Sequence, residues 1–166
     1  MQRFNDTVND YIIDHTTPAD SLLNELERQT HVKVLRPQMV SGHIQGKTLE
    51  MLSLMIKPER ILELGTFTGY SAICLAKGLT SNGLLYTIDI NDELESFANS
   101  FFNRSAFAQK IKFIVGDALK IVPEIDELFD LVFIDADKRQ YPEYYNLIFD
   151  KVKPGGFIIA DDVLWY

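Results

Sequence analysis

The chain has a single cysteine, Cys74, in 166 residues, so neither an intrachain disulfide nor a multi-cysteine zinc site is open to it. Its three histidines, His15, His31 and His43, stand at none of the spacings by which histidines share a metal. Positive charge is also short. Sixteen Lys and Arg against 24 Asp and Glu leave a formal net charge of −8, which argues against a broad surface that tracks nucleic-acid phosphates. A small anion held by backbone N–H groups stays compatible with that charge. No apolar run approaches the roughly 20 residues of a membrane helix, and the opening MQRFNDTVNDYIIDHTTP lacks the apolar stretch of a secretory signal. The reading is a cytoplasmic protein with no membrane partner. Its length suits one hydrophobic core, and residues 1–166 are read as one domain.

Residues 1–57 read as helices. Phe4, Val8, Tyr11 and Ile12 recur at helical spacing and should lay one face on something apolar. Thr17-Pro18 reads as the N-cap and first position of a helix carrying Leu22, Leu23 and Leu26. A third helix is predicted over 42–56, with Met51, Leu52 and Met55 facing inward, and Lys57-Pro58 ends it. From residue 58 the pattern changes. RILEL, LLYTID, KIKFIVGD, DLVFIDAD and GGFIIADD read as strands, alternating with helices predicted over 70–79, 92–107, 119–125 and 141–152. That alternation predicts an α/β domain with a parallel sheet, Rossmann-like, covered by helices on both faces.

In such a sheet, ligands bind beyond the carboxyl ends of the strands. The first strand ends at Glu63 and leads into Gly65-Thr66-Phe67-Thr68-Gly69-Tyr70-Ser71, a loop whose glycines permit a tight turn or close approach to a ligand. An ordinary strand-to-helix turn would look the same. Phe67 replaces the second glycine of G-x-G-x-x-G, and no Gly-Lys-Ser/Thr follows, so dinucleotide and P-loop sites are disfavoured. Asp89 ends the second strand, where a carboxylate can accept both ribose hydroxyls of an adenosine or simply sit in solvent. Gly116-Asp117-Ala118 ends the third; the acid could meet an adenine amino group or cap a helix. The fourth and fifth end in Asp135-Ala136-Asp137-Lys138 and Asp161-Asp162. Carboxylates on neighbouring strand ends repel unless a cation or retained protons relieve them. Oxygen ligands alone favour Mg²⁺, Ca²⁺ or Mn²⁺. Separate capping roles are the alternative, and Lys138 could equally pair Asp137 or Glu143 at the surface.

Taken in order, ELGTFTGYSA, YTIDIN, VGDAL, FIDADK and KPGGFIIADD resemble the serial motifs of the metal-dependent O-methyltransferases, the family of catechol and caffeoyl-CoA O-methyltransferases and their small bacterial relatives. The resemblance runs over 37–166. It implies S-adenosylmethionine as cofactor, with Met39, Val40 and Ser41 over its methionine end and Glu63, Gly65, Thr66, Phe67 and Ser71 along its amino-acid portion. Asp89 would hold the ribose, and Asp117 with Ala118 the adenine edge. Asp135 would face both the cofactor and a divalent metal, Mg²⁺ above all, shared with Asp161 and Asp162, and Lys138 would be the general base. The family's last metal position is commonly Asn, where this chain has Asp162.

The implied reaction is methyl transfer to the acidic hydroxyl of a small hydroxylated aromatic, in a homodimer. Methylation of a hydroxylated tRNA uridine and a non-catalytic cofactor-binding or dimerising domain are the competing readings. The family normally continues beyond the fifth strand with two more strands. The apolar strand Phe157–Ala160 and the final Trp165-Tyr166 therefore carry the expectation of a longer natural chain with a covered sheet edge.

Overall fold

The structure, a computed structural model, describes residues 6–164. Phe4 and the Trp165-Tyr166 pair lie outside them. Three helices come first, α1 (Asp6–Asp14), α2 (Ser21–Lys33) and α3 (Gly42–Ile56), with a short 3₁₀ turn at Pro37–Met39. Five strands then alternate with four helices: β1 (Arg60–Leu64), α4 (Tyr70–Ala76), β2 (Leu84–Asp89), α5 (Glu95–Phe102), β3 (Ile111–Val115), α6 (Ala118–Glu124), β4 (Phe129–Ile134), α7 (Tyr141–Phe149) and β5 (Val152–Ala160). All pairings are parallel, in the order β3-β2-β1-β4-β5.

The central apolar strands β1, β2 and β4 are buried on both faces, as their composition predicts, while the outer β3 and β5 are only partly covered. Along β1 and β4, Ile61, Leu131 and Phe133 pack toward α2–α5, whereas Leu62, Leu64, Val132 and Ile134 pack toward α6 and α7. This strict alternation places Glu63, an acid with no exposed surface, on the same side of β1 as Ile61.

Four local expectations are corrected. α2 starts at Ser21, and Asp20, not Thr17, caps it by accepting from the Leu23 N–H at 3.0 Å. An aspartate carboxylate caps at least as well as a threonine hydroxyl and also suits the positive end of the dipole. Val8 and Tyr11 are exposed, so the apolar face of α1 is not laid on this core. In α3, Met51 and Met55 are 52% and 73% exposed. Small residues turn this helix inward. Gly46 lets the Tyr70 ring and the Cys74 sulfur approach its backbone, and Ser53 Oγ donates to the Leu75 carbonyl at 2.6 Å. α5 stops at Phe102 because the chain turns at 103–105, where the Ser105 hydroxyl bonds the Phe102 carbonyl. Cys74 is a free thiol, buried in the core against α3. β5 is an edge strand among the described residues, with Phe157 half exposed.

Candidate active site

The strand order reverses direction between β1 and β4, the place where a crevice opens in a doubly wound sheet. One backbone hydrogen bond prolongs each pairing beyond the strand ends: Gly116 N to Asp89 O, Gly65 N to Ile88 O, Asp135 N to Leu64 O and Asp161 N to Ile134 O, all 2.8–3.0 Å. Asp117, Asp89, Gly65, Asp135 and Asp161 thereby line one rim in that order. Two acids lie on the β2–β3 side of the glycine loop and two on the β4–β5 side.

Gly65 has φ +101, and a Cβ there would run into the Asp135 carbonyl oxygen, so glycine is what lets β1 and β4 deliver their loops so close together. Phe67 takes a positive φ of 47, and its N–H donates to Asp89 Oδ2 at 2.6 Å. Asp89 Oδ1 accepts from the Asn91 N–H at 2.9 Å. Asp89 is therefore no loose strand-end carboxylate: two backbone donors orient it, and each oxygen keeps a lone pair for a further donor. Asp117 does cap α6, accepting from the Leu119 N–H at 3.0 Å, and the adjacent Ala118 is buried.

Beneath the loop lies a buried hydrogen-bonded chain in which Thr87, not singled out by the motifs, joins Glu63 and Thr66. Thr87 Oγ1 donates to Glu63 Oε2 at 2.5 Å and lies 2.5 Å from Thr66 Oγ1. Thr87 has one proton, so while Glu63 accepts it, Thr66 is the donor to Thr87. Burial pushes the Glu63 carboxyl up to about 8, and the nearby Asp135 and Asp89 charges add to the rise. Glu63 Oε1 is buried and has no hydrogen-bond partner among the described residues. The signal was present in the sequence: Thr87 is the polar residue inside LLYTID and sits directly across from Glu63 in the β1–β2 register.

The other half of the rim is organised around Lys138, in the 3₁₀ turn Lys138–Gln140. Its Nζ donates to Asp135 Oδ1 at 2.5 Å, to Tyr141 Oη at 2.7 Å and to the Asp161 carbonyl at 3.3 Å. The lysine thus pairs Asp135, not Asp137, which caps that turn and binds Arg139, nor Glu143. Burial alone would lower the Lys138 pKa, but the Asp135 carboxylate and the Tyr141 hydroxyl outweigh it and hold the ammonium form. Asp161 goes the other way: burial, then the Asp135 and Asp162 charges, raise its carboxyl. Its Oδ2 accepts from Gln45 Nε2 of α3 at 2.7 Å, a contact spanning 116 positions that nothing local in the sequence announces. Asp162 is exposed and left-handed, at φ 52. Asp and Asn tolerate that conformation better than most residues, which gives a backbone reason for either at this position.

Of the residues expected over the methionine end, Met39 is 52% exposed at the end of its 3₁₀ turn, while Val40 and Ser41 are half-buried where α3 begins. The tyrosines separate by role. The Tyr141 hydroxyl reaches the rim, Tyr144 is buried with its hydroxyl on Gln140, and Tyr145 packs on Phe149. Beside Lys138 and Asp162 an apolar groove of about 450 Å³ is walled by Tyr141, Pro142, Tyr145, Ile158 and Val163. Among the described residues, no three His, Cys, Asp or Glu side chains are gathered closely enough to cage a metal, and no helix is long and apolar enough to cross a membrane.

A doubly wound parallel sheet with an acid-lined rim at its switch point defines a class of nucleotide-type binding folds, and comparison with known proteins narrows it. The chain belongs to the O-methyltransferase family, whose family model matches residues 13–166. It is 36% identical over 124 residues to a catechol O-methyltransferase of Niastella koreensis, covering 72% of this chain and 56% of that protein. Its identity to a caffeoyl-CoA O-methyltransferase of Stellaria longipes is 30% over 163 residues, 93% of this chain and 67% of the relative. The chain thus spans little more than half the length of the first of these relatives. Among solved structures it is similar to the Bacillus cereus O-methyltransferase in complex with SAH, at TM-score 0.89 and 34% identity, covering 96% of this chain and 74% of that one. The O-methyltransferase of tomaymycin synthesis from Streptomyces achromogenes, in complex with SAM, gives TM-score 0.89 and 33% identity over 95% of this chain and 72% of that one.

Proposed function

We propose that the chain binds S-adenosylmethionine across the β1–β4 switch point and passes its methyl group to an acidic hydroxyl of a catechol-like phenol, with help from a divalent cation. One observation carries this reading: a single rim places two oriented acids on one side of the Gly65 loop and the Asp135–Lys138–Asp161 cluster on the other. Asp89 takes the ribose, Asp117 and Ala118 the adenine edge, and Met39, Val40 and Ser41 the methionine end. Glu63, Gly65, Thr66, Phe67 and Ser71 line the amino-acid portion. In the transfer, the C–S bond breaks as the O–CH₃ bond forms, the sulfonium becomes a thioether, and the phenol proton leaves to a base.

A free phenol, with a pKa near ~10, supplies little phenolate at neutral pH. A divalent cation would be held by Asp135, Asp161 and Asp162, and when bound it stabilises the phenolate and so lowers that pKa. The donor atoms are all oxygen, which suits a hard divalent cation, although the three carboxylates are not gathered into a cage. The Lys138 ammonium already occupies an all-oxygen cradle of Asp135 Oδ1, Tyr141 Oη and the Asp161 carbonyl, while the third carboxylate, Asp162, stays exposed. Paired this way Lys138 is an acid, not a base. To serve as the base, Lys138 would have to leave Asp135 and give up its own proton first.

Two expected results test the cofactor half. Asp89→Ala should weaken S-adenosylhomocysteine binding by about 1.5–3 kcal/mol, the scale of a hydrogen bond to a charged group; unchanged affinity by calorimetry in a folded variant would remove Asp89 from the ribose. The second concerns Glu63. With a folded pKa of about 8 it is mostly neutral at pH 6.5, where the cofactor's α-amine (pKa about 7.7–8.0) is charged. An ammonium brought to Glu63 Oε1 favours the carboxylate, so binding at pH 6.5 should release close to one proton. Calorimetry in buffers of different ionisation enthalpy reads that number, and Glu63→Gln should bring it near zero. The same shift sets the sign for stability. Between the unfolded pKa of about 4.3 and the folded value, the folded chain holds the extra proton. Stability from Glu63 is therefore full at low pH and is lost as pH rises toward about 8.

A further inference from the structure

Gln45 lies in the first part of α3, one helical turn beyond Ser41, and its Nε2 donates to Asp161 Oδ2 at 2.7 Å. The main chain of Asp161 is already fixed from two other elements. Its N–H donates to the Ile134 carbonyl at the end of β4, and its carbonyl accepts from Tyr141 Oη at 2.9 Å and from Lys138 Nζ at 3.3 Å. Its carboxylate is held more lightly: Gln45 is the one side chain that donates to it, beside the N–H of the next residue, Asp162. Without the Gln45 bond only the adjacent Asp162 N–H would restrain the carboxylate, and a ligand would have to order it further on binding.

Gln45 is also mounted rigidly. Its neighbour Gly46 has the Tyr70 ring and the Cys74 sulfur against its backbone, and Ser53 bonds the Leu75 carbonyl two turns further on. With Lys77 bridging Glu50 of α3 at 2.9 Å as well, α3 is locked to α4 without any help from Gln45. A hydrogen bond to the rim is thus spare as a clasp but well placed as an orienting contact.

We propose that Gln45 is a positioning residue that holds Asp161 Oδ2, fixing the carboxylate plane so that Oδ1 is presented for the cation shared with Asp135. This rests on the reading of the rim as a divalent-cation site. Groups that orient a metal-ligating carboxylate are worth about 10–100-fold in metal affinity.

The test is a Mn²⁺ titration of the 166-residue chain saturated with S-adenosylhomocysteine, followed by the electron paramagnetic resonance signal of the unbound ion. Gln45→Met, which keeps the length and helix preference but removes the donor, should weaken Mn²⁺ binding about tenfold. Its melting temperature and S-adenosylhomocysteine affinity should stay close to those of the parent chain. Gln45→Glu, isosteric but carboxylate-bearing, should show at least the same loss at pH 7.5 and keeps the test open if the Met variant does not fold. In an Asp161→Ala background, Gln45→Met should cost nothing further. Parent-like Mn²⁺ affinity in both Gln45 variants, with or without a lower melting temperature, would make the contact a clasp and overturn the proposal alone. A parent chain that takes up no Mn²⁺ would overturn the cation reading and this proposal together.

Discussion

Asp135→Ala is expected to abolish methyl transfer, a fall in kcat of at least about 10³-fold, at the upper end of what losing one preorganised electrostatic group costs in an active site. The same change should alter cofactor affinity by less than about threefold. The asymmetry follows from where Asp135 sits. It is the first residue beyond β4, its carboxylate accepts from Lys138, and it stands on the acceptor side of the Gly65 loop, away from Asp89 and Asp117. Removing the carboxylate takes away one ligand of the proposed cation and leaves the Lys138 ammonium without its counter-charge in a partly buried place. Single-turnover transfer and calorimetric cofactor binding, measured on the same preparation, check both halves. A variant with more than about a tenth of the parent rate, or one that has lost the cofactor, would put Asp135 in a different role. Asp162→Asn should be far milder, retaining activity and at most shifting metal preference, since Asn suits the left-handed backbone equally well.

Gly65→Ala should be the most damaging small substitution in the chain. A left-handed φ held by a non-glycine residue costs about 1–3 kcal/mol. Here the new methyl group also meets the Asp135 carbonyl, part of the backbone rather than a side chain that could swing aside. Overpacking of this kind adds about 1–3 kcal/mol. Against a typical total of about 5–15 kcal/mol, the sum is a large share of the stability. A drop in melting temperature of about 10 °C or more is expected at this size, with loss of cofactor binding. Gly155→Ala is the control. Its φ is also positive, at 84, but nothing lies within 4 Å of the added Cβ, so only the backbone strain, about 1–3 kcal/mol, is expected. Thermal melts of the two variants side by side separate the clash from the strain. Equal melting temperatures would show that the loop does not need to approach β4 so closely.

The sheet was legible because its strands are apolar almost without interruption and their ends are punctuated by Gly and Asp. From RILEL to GGFIIADD, each predicted strand exists and the rim acids fall where the alternation put them. The buried polar residues inside those strands, Glu63 and Thr87, could also have been paired from the register, since a buried acid needs a donor.

Helix faces were less legible. The Met51 and Met55 reading followed hydrophobicity, whereas the inward face of α3 is set by Gly46, Leu49 and Ser53, where small size admits Tyr70 and Cys74. Periodicity of apolar residues does not report close approach of backbones. Likewise Thr17-Pro18 has the chemistry of a helix start, but Asp20 three residues on supplies the bond. The Gln45–Asp161 contact was beyond any local reading because it joins residues 116 positions apart and depends on how α3 sits over the end of β5.

The central claim, a methyl passed from S-adenosylmethionine to a phenolic oxygen at this rim, is most directly tested with methyl-labelled cofactor, catechol and Mg²⁺, in parallel with excess chelator and with bulk tRNA as acceptor. The account predicts label on the catechol oxygen, none on tRNA, and loss of transfer in chelator that added Mg²⁺ restores. Label on tRNA with none on catechol, or catechol methylation undiminished by chelator, would contradict it.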